Sequence, residues 1–296
     1  MYPMIFFHPV IKNLVWGSEH WTISAHAHGD AQIKAGPHAG TPLSRLWDEN
    51  PALFGRGATP GKHPFPLLVK IIDAKTDLSI QVHPDDTYAA AHENGSLGKT
   101  ECWYILDAAP GSFLVLGHDT RDKKELREAI ETGRFMERAH KVHVGRGDFI
   151  QIEPGSVHAI GGGIRLLEIQ QASDITYRLY DYGRLENGKP RPLHLDKALD
   201  VITFPAWDIS QMITPAAPRP ANAMHKLIDC AYYRVWELPV CDAVQIKQDY
   251  AFMIVCVVEG QGSVCGRPIA SGDHFILSQD FGAADFRGNM RLIIAA

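Results

Sequence analysis

Short apolar runs that end at glycine or proline recur along the chain. PLLVKIID (66–73), LSIQVH (78–83), CWYILDA (102–108), SFLVLG (112–117), DFIQIEP (148–154) and IRLLEIQ (164–170) each have the length of a strand, and turn residues separate them. Such spacing predicts a mainly β fold, an antiparallel sandwich or barrel of the jelly-roll kind. One segment departs from the pattern. DTRDKKELREAIETG (119–133) offers Asp or Thr as N-cap, sets Leu126 and Ile130 four apart and stops at Gly133, which predicts a helix. RFMERAHKV (134–142) reads as a second short helix, so 119–142 forms a helical insertion between two strands. HLDKALDVITF (194–204) reads as a third helix.

Residues 205–222, PAWDISQMITPAAPRPAN, are rich in Pro and Ala and have no clear period. They place a linker at 206–222, after a larger β unit spanning 1–205 and before a smaller one spanning 223–296. The smaller unit is expected from YYRVWELPV, FMIVCVVEG, GSVCGRPIA, HFILSQ and MRLIIAA. The two units share a Gly-Asp turn before an apolar strand, GDFIQIEPGSVH at 147 and GDHFILSQDFGA at 272. Eleven residues after its glycine the first copy has His158 and the second has Ala283, so the second copy is expected to lack a metal site and to serve packing.

Polar positions interrupt the alternation in three places. In LSIQVHPDD, Leu78, Ile80 and Val82 share one face of a strand, and Ser79, Gln81 and His83 share the other. In KTECWYIL, Glu101 shares a face with Trp103 and Ile105, and in EPGSVHAI a Pro-Gly turn delivers His158. A buried carboxylate beside aromatics costs several kcal/mol, on the order of a buried unpaired ion, unless a cation meets it. Two imidazoles and a carboxylate are a common zinc or non-haem iron set. Gln81 can add a carbonyl oxygen. Taken singly, each of these residues reads as structural, and Glu101 could simply pair with Lys99; the argument for metal is their convergence.

Composition narrows the function further. Among 296 residues, 45% are apolar and 21% charged, as in ordinary globular chains. A net charge of −5 and a pI near 6.3 disfavour nucleic acid and anionic membrane as partners. The five cysteines form no CxxC pair, which fits a reducing cytoplasm better than a disulfide framework. The longest apolar run, FMIVCVV (252–258), is too short to span a bilayer, and the N-terminal stretch lacks the basic region and cleavage site of a signal peptide.

The set WGSEHWTISAH (16–26), LSIQVHPDD (78–86), GKTECWYIL (98–106), GDFIQIEPGSVHAI (147–160) and LEIQQASDITYRLYDYGR (167–184) resembles the type I mannose-6-phosphate isomerases, most of all their compact bacterial branch. The resemblance implies a cupin fold, one Zn2+ per chain, and interconversion of mannose 6-phosphate and fructose 6-phosphate. Carried over by position, the family's zinc ligands fall on Gln81, His83, Glu101 and His158, and its catalytic arginine on Arg178. Ser79, Lys99 and Glu168 fall on active-site positions, and Arg184 falls where some relatives bind phosphate. Arg165 and Arg191 are assigned to surface or structure. The proton-relaying base stays open among Glu168, Lys99 and a metal-bound water. Two departures stand out: Glu153 occupies the place of a usual cupin proline, and the helical domain of eukaryotic relatives is missing. A metal-dependent cupin of other activity and a non-catalytic sugar-binding cupin are the alternatives; Gln81 and Arg178 argue against an iron oxygenase, and the full ligand set argues against loss of catalysis.

Overall fold

The computed structural model describes residues 4–56 and 64–296. They form two compact units, and both are mainly β. The first unit takes in residues 11–20 and 70–216. Its five-stranded antiparallel sheet runs Ala139–His143, Phe113–His118, His158–Ile160, Ile80–Val82, Tyr177–Tyr180. A seven-stranded sheet runs Ile213–Thr214, Phe149–Ile152, Glu101–Ala108, Ile164–Gln171, Leu67–Ala74, Gly17–Ile23, Val10–Leu14. Trp103, Ile105, Ile150 and Leu166 of one sheet pack with Leu114, Leu116 and Ile160 of the other, which makes the predicted sandwich.

The outer face of the five-stranded sheet is covered as well. Ile80, Val82, Val115 and Leu179 pack under Leu126, Ile130 and Phe135 of the insertion and Ala198 and Leu199 of the helix Leu195–Val201. The insertion helix is Lys123–Glu131, and its N-cap is Asp122, whose carboxylate accepts from the Glu125 N–H. A helix of nine residues is marginal alone in water. Burying Leu126 and Ile130 at about 1.5–3 kcal/mol each holds it in place.

Several expectations change in detail. The strand in LSIQVH starts only at Ile80, so Leu78 escapes the alternation and packs inside the sandwich while Ile80 and Val82 pack outside it. The second predicted helix shrinks to a single 3-10 turn, Phe135–Glu137, and the following residues become the edge strand Ala139–His143. Pairing with Phe113–His118 outweighs the local helical pattern there. The predicted linker is partly structured: Ile209–Met212 is a short helix with Met212 buried, and Ile213–Thr214 pairs with Phe149–Ile150.

The second unit takes in residues 217–296 together with 4–10, 21–56 and 64–69. Its long strands Arg234–Lys247, Phe252–Val264 and Ala283–Ala295 surround a core that includes Leu238, Val255, Phe275, Phe286 and Leu292. Met4–His8 pairs with His274–Ser278, and Phe6 stacks on Phe275 at 4.7 Å between ring centroids. An N-terminal strand therefore closes an edge that residues 223–296 alone would leave unpaired. The compact units are discontinuous in sequence and do not follow a sequential cut at 206–222. The Gly-Asp repeat is built alike in both copies. Asp148 accepts from the Gly145 N–H at 2.8 Å, and Asp273 accepts from the Ala270 N–H at 2.8 Å.

The turn before His158 depends on close approach. Gly155 has φ +82°, and a Cβ there would lie 2.5 Å from the Thr203 hydroxyl oxygen and 2.7 Å from the Val201 carbonyl oxygen. Its N–H donates to the His83 carbonyl at 2.9 Å, which ties two of the polar motifs together. Gly155→Ala is expected to destabilise the protein by about 2 kcal/mol or more. Gly111→Ala is the control: its φ is +84° with nothing within 4 Å of the added Cβ. It should cost only the backbone strain, about 1 kcal/mol. Urea unfolding of both variants checks the difference.

Candidate active site

Alternation along the strands turns one polar set from each sheet into the sandwich. His158, Gln81 and Arg178 lie abreast on three adjacent strands of the five-stranded sheet. Across the seven-stranded sheet, Glu101 pairs in register with Gln170, and Trp103 with Glu168. Glu101, His158 and His83 are at most 1% exposed. Their ligating atoms all lie within 4.8 Å of one another. Glu101 Oε1 is 3.3 Å from His158 Nε2 and 3.7 Å from His83 Nε2, and it has no hydrogen-bond partner.

The histidines are set to offer lone pairs. His83 Nδ1 meets the Ile175 carbonyl at 2.8 Å, and His158 Nδ1 meets the Ser156 carbonyl at 3.0 Å. A carbonyl only accepts, so each Nδ1 carries the proton and each Nε2 faces Glu101 unprotonated, a lone pair that the Lys99 ammonium meets at His83 and the Gln81 amide at His158. Burial, reinforced by the nearby Lys99 ammonium, pushes His83 down to about 3. Burial likewise lowers His158. Burial alone would raise Glu101, but Lys99 and the two imidazoles outweigh it and hold the carboxyl well below the usual range. Lys99 Nζ lies 2.8 Å from Glu101 Oε2 and 3.2 Å from His83 Nε2. An orphaned carboxylate oxygen between two unprotonated imidazole nitrogens is the donor set of a first-row dication. The residues fit a metal ion.

Backbone locks deliver these groups. The Lys99 N–H donates to the Pro84 carbonyl at 3.0 Å, and the Gly98 N–H to Asp86 at 2.7 Å. Gln171 bridges Asp86 and the Thr100 N–H. The loop after His83 and the strand that carries Glu101 are thus joined residue by residue.

The predicted residues come together in part. A hydrogen-bond chain links Arg178 Nε to the Ser79 hydroxyl at 3.3 Å, Ser79 to Gln81 Oε1 at 3.4 Å, and Gln81 Nε2 to His158 Nε2 at 3.3 Å. The Gln81 amide therefore turns its nitrogen, not its oxygen, to the cluster; a half-turn of the amide would reverse this. Glu168 does not pair with Arg178. It binds Lys70 at 2.8 Å and the Trp103 indole N–H at 3.1 Å. Arg184 reaches none of the cluster. It donates to the Asp77 carbonyl and, at 2.6 Å, to Asp181. Arg191, read as surface or structure, grips the same carboxylate at 2.6 and 2.7 Å, while Arg165 is exposed.

Sequence reasoning missed Lys70, Glu19 and Asp181. For Lys70 the signal was present: a single lysine inside PLLVKIID, on the face of Ile72. Glu153 leaves the His158 turn intact, since its carbonyl accepts the Ser156 N–H at 3.1 Å.

Residues 7–107 match the catalytic-domain model of phosphomannose isomerase type I, and residues 223–296 match the mannose-6-phosphate isomerase cupin domain. The mannose-6-phosphate isomerase ManA of Bacillus subtilis is 39% identical over 98% of both chains. The chain belongs to the type I phosphomannose isomerases. It is an aldose–ketose isomerase by family. A mannose-6-phosphate isomerase from Streptococcus mutans is 37% identical, with 93% of this chain and 87% of that one aligned. A crystal structure of the mannose 6-phosphate isomerase from Bacillus subtilis superimposes with a TM-score of 0.90 at 35% identity, covering 99% of each chain. A single-residue variant of Salmonella typhimurium phosphomannose isomerase shares the fold at 15% identity, with a TM-score of 0.79 and 99% and 98% coverage.

Two predictions follow from the buried cluster of this phosphomannose isomerase. Glu101→Ala should lose bound metal, read as metal content of the purified protein against wild type; equal content would break the ligand assignment. The second concerns acid. His83 is neutral in the fold and protonates near its ordinary 6.5 when unfolded, so the unfolded chain binds more protons between about 3 and 6.5. Stability present above 6.5 is lost as the pH falls toward 3, and Glu101 adds to the loss below its ordinary range. Melting of the metal-free protein across this window should show a falling Tm that His83→Gln flattens.

Proposed function

We propose that the chain interconverts mannose 6-phosphate and fructose 6-phosphate through a cis-enediol, with one zinc ion held by His83, Glu101, His158 and the Gln81 carbonyl. The observation that carries this reading is the orphaned Glu101 oxygen between two unprotonated imidazole nitrogens, with Arg178 joined to the same cluster through Ser79 and Gln81. Zinc, when bound, supplies an electrophile for oxygens on C1 and C2.

The remaining work falls to side chains. Glu168 takes the proton from C2 of the open-chain aldose, and the electron pair forms the C1–C2 double bond as charge moves to the C1 oxygen. The hydroxyl proton on the C2 oxygen passes to the C1 oxygen, Glu168 returns its proton to C1, and the C2 carbonyl forms. Burial raises Glu168 above the ordinary carboxylate value against the pull of Lys70, which makes it a stronger base than an exposed carboxylate. Arg178 donates to the enediolate with its guanidinium fork. Ser79 and Lys99 supply a hydroxyl and positive charge for the phosphate, and Arg184 joins them only by leaving Asp181 and the Asp77 carbonyl; no phosphate-binding glycine loop is needed. The five cysteines are free thiols, which supports a cytoplasmic setting.

The reading is tested by fructose 6-phosphate formation from mannose 6-phosphate, run untreated, after chelation, and after zinc is restored. Activity lost and then recovered supports it; a folded, zinc-loaded protein without activity sinks it. Arg178→Ala should keep its metal and lower kcat by about 10²–10³-fold, as loss of a transition-state donor does.

A further inference from the structure

Lys70 sits in the middle of the apolar strand Leu67–Ala74 and is 4% exposed. A buried ammonium is strongly disfavoured unless carboxylates meet it. Lys70 Nζ lies 2.8 Å from Glu168 Oε1 and 3.9 Å from Glu19 Oε2. Glu168 Oε2 takes the Trp103 indole N–H at 3.1 Å. Trp103, Glu168, Lys70 and Glu19 occupy four successive strands of the seven-stranded sheet, and Lys12, which Glu19 attracts, lies on the fifth. Charge alternates along this row, and its Glu168 end faces the sandwich interior with Glu101 and Lys99 as its other charged neighbours.

Lys70 is a poor proton carrier in its own right. Burial alone would push it down, but Glu168 and Glu19 more than offset this and keep it an ammonium well above its ordinary range. A carboxylate has about four acceptor sites, so with one taken by Lys70 and one by Trp103, Glu168 keeps lone pairs for a substrate. We propose that Lys70 is a positioning residue for the isomerisation: it fixes the Glu168 carboxylate in the orientation that takes the proton from C2 of the sugar phosphate and returns it to C1. This rests on the reading of Glu168 as the base.

The experiment is a double-mutant cycle on the zinc-loaded protein with mannose 6-phosphate. It uses Lys70→Met, Glu168→Gln and the pair together. Lys70→Met should lower kcat by about 100-fold, leave KM within about threefold, and change kcat by less than about threefold when Glu168 is already Gln. A purely structural lysine would lose the same factor in both backgrounds, and that result overturns the proposal. So does a rise in KM with kcat untouched. If Lys70→Met fails to fold by circular dichroism, Lys70→Gln, which keeps a donor, enters the same cycle and is read in the same way. Wild-type kcat in Glu168→Gln would remove Glu168 as the base, a failure of the earlier reading that shows before Lys70 is changed, and the proposal would fall with it.

Discussion

Everything in the larger sandwich is arranged around one buried carboxylate. Glu101 has no exposure to water, and the several kcal/mol, in order of magnitude, that burial of a lone ion costs must be met locally. Lys99 meets one oxygen, and the other faces two imidazoles whose protons are turned away to backbone carbonyls. The interlock of Pro84, Asp86, Gln171 and residues 98–100 keeps that geometry from relaxing. Gly155, bonded to the His83 carbonyl, performs the same task on the other side.

The two sheets divide the chemistry between them. The five-stranded sheet carries Gln81, His158 and Arg178 side by side; its outer face is apolar and buried under helices, and its inner face sets these polar groups beside Leu114, Leu116 and Ile160. The seven-stranded sheet carries Glu101 and, on the strands that follow it across the sheet, Glu168, Lys70, Glu19 and Lys12, whose charges alternate. Rigid strands suit such a site, because a displacement of about 1 Å in a reacting group is expensive.

Much of this was legible in the chain itself. Period-two alternation set His83 and Glu101 apart on their strands, a Pro-Gly turn delivered His158, and six apolar runs became strands because each had a buried face and a turn at its end. Leu78 was misread because a strand's first residue depends on where pairing begins, which periodicity does not encode. Residues 134–142 were misread because pairing with Phe113–His118 is a long-range term. Met4–His8 belongs with His274–Ser278 for the same reason. Lys70 was passed over because one polar residue in an apolar run looks like noise until its partners, 51 and 98 positions away in Glu19 and Glu168, are brought beside it. Arg184 shows the converse: its motif was recognised, yet Asp181 and the Asp77 carbonyl hold it away from the cluster.

The central claim is that the space beside Glu101 Oε1 is a cation site. The most direct measurement is anomalous scattering from crystals of the zinc-loaded protein, collected on both sides of the zinc edge. The account predicts one strong peak bounded by His83 Nε2, His158 Nε2 and Glu101 Oε1, at about 2.0–2.2 Å from each. Fully ordered side chains with no peak, and Lys99 closed over His83 Nε2 in its place, would contradict it.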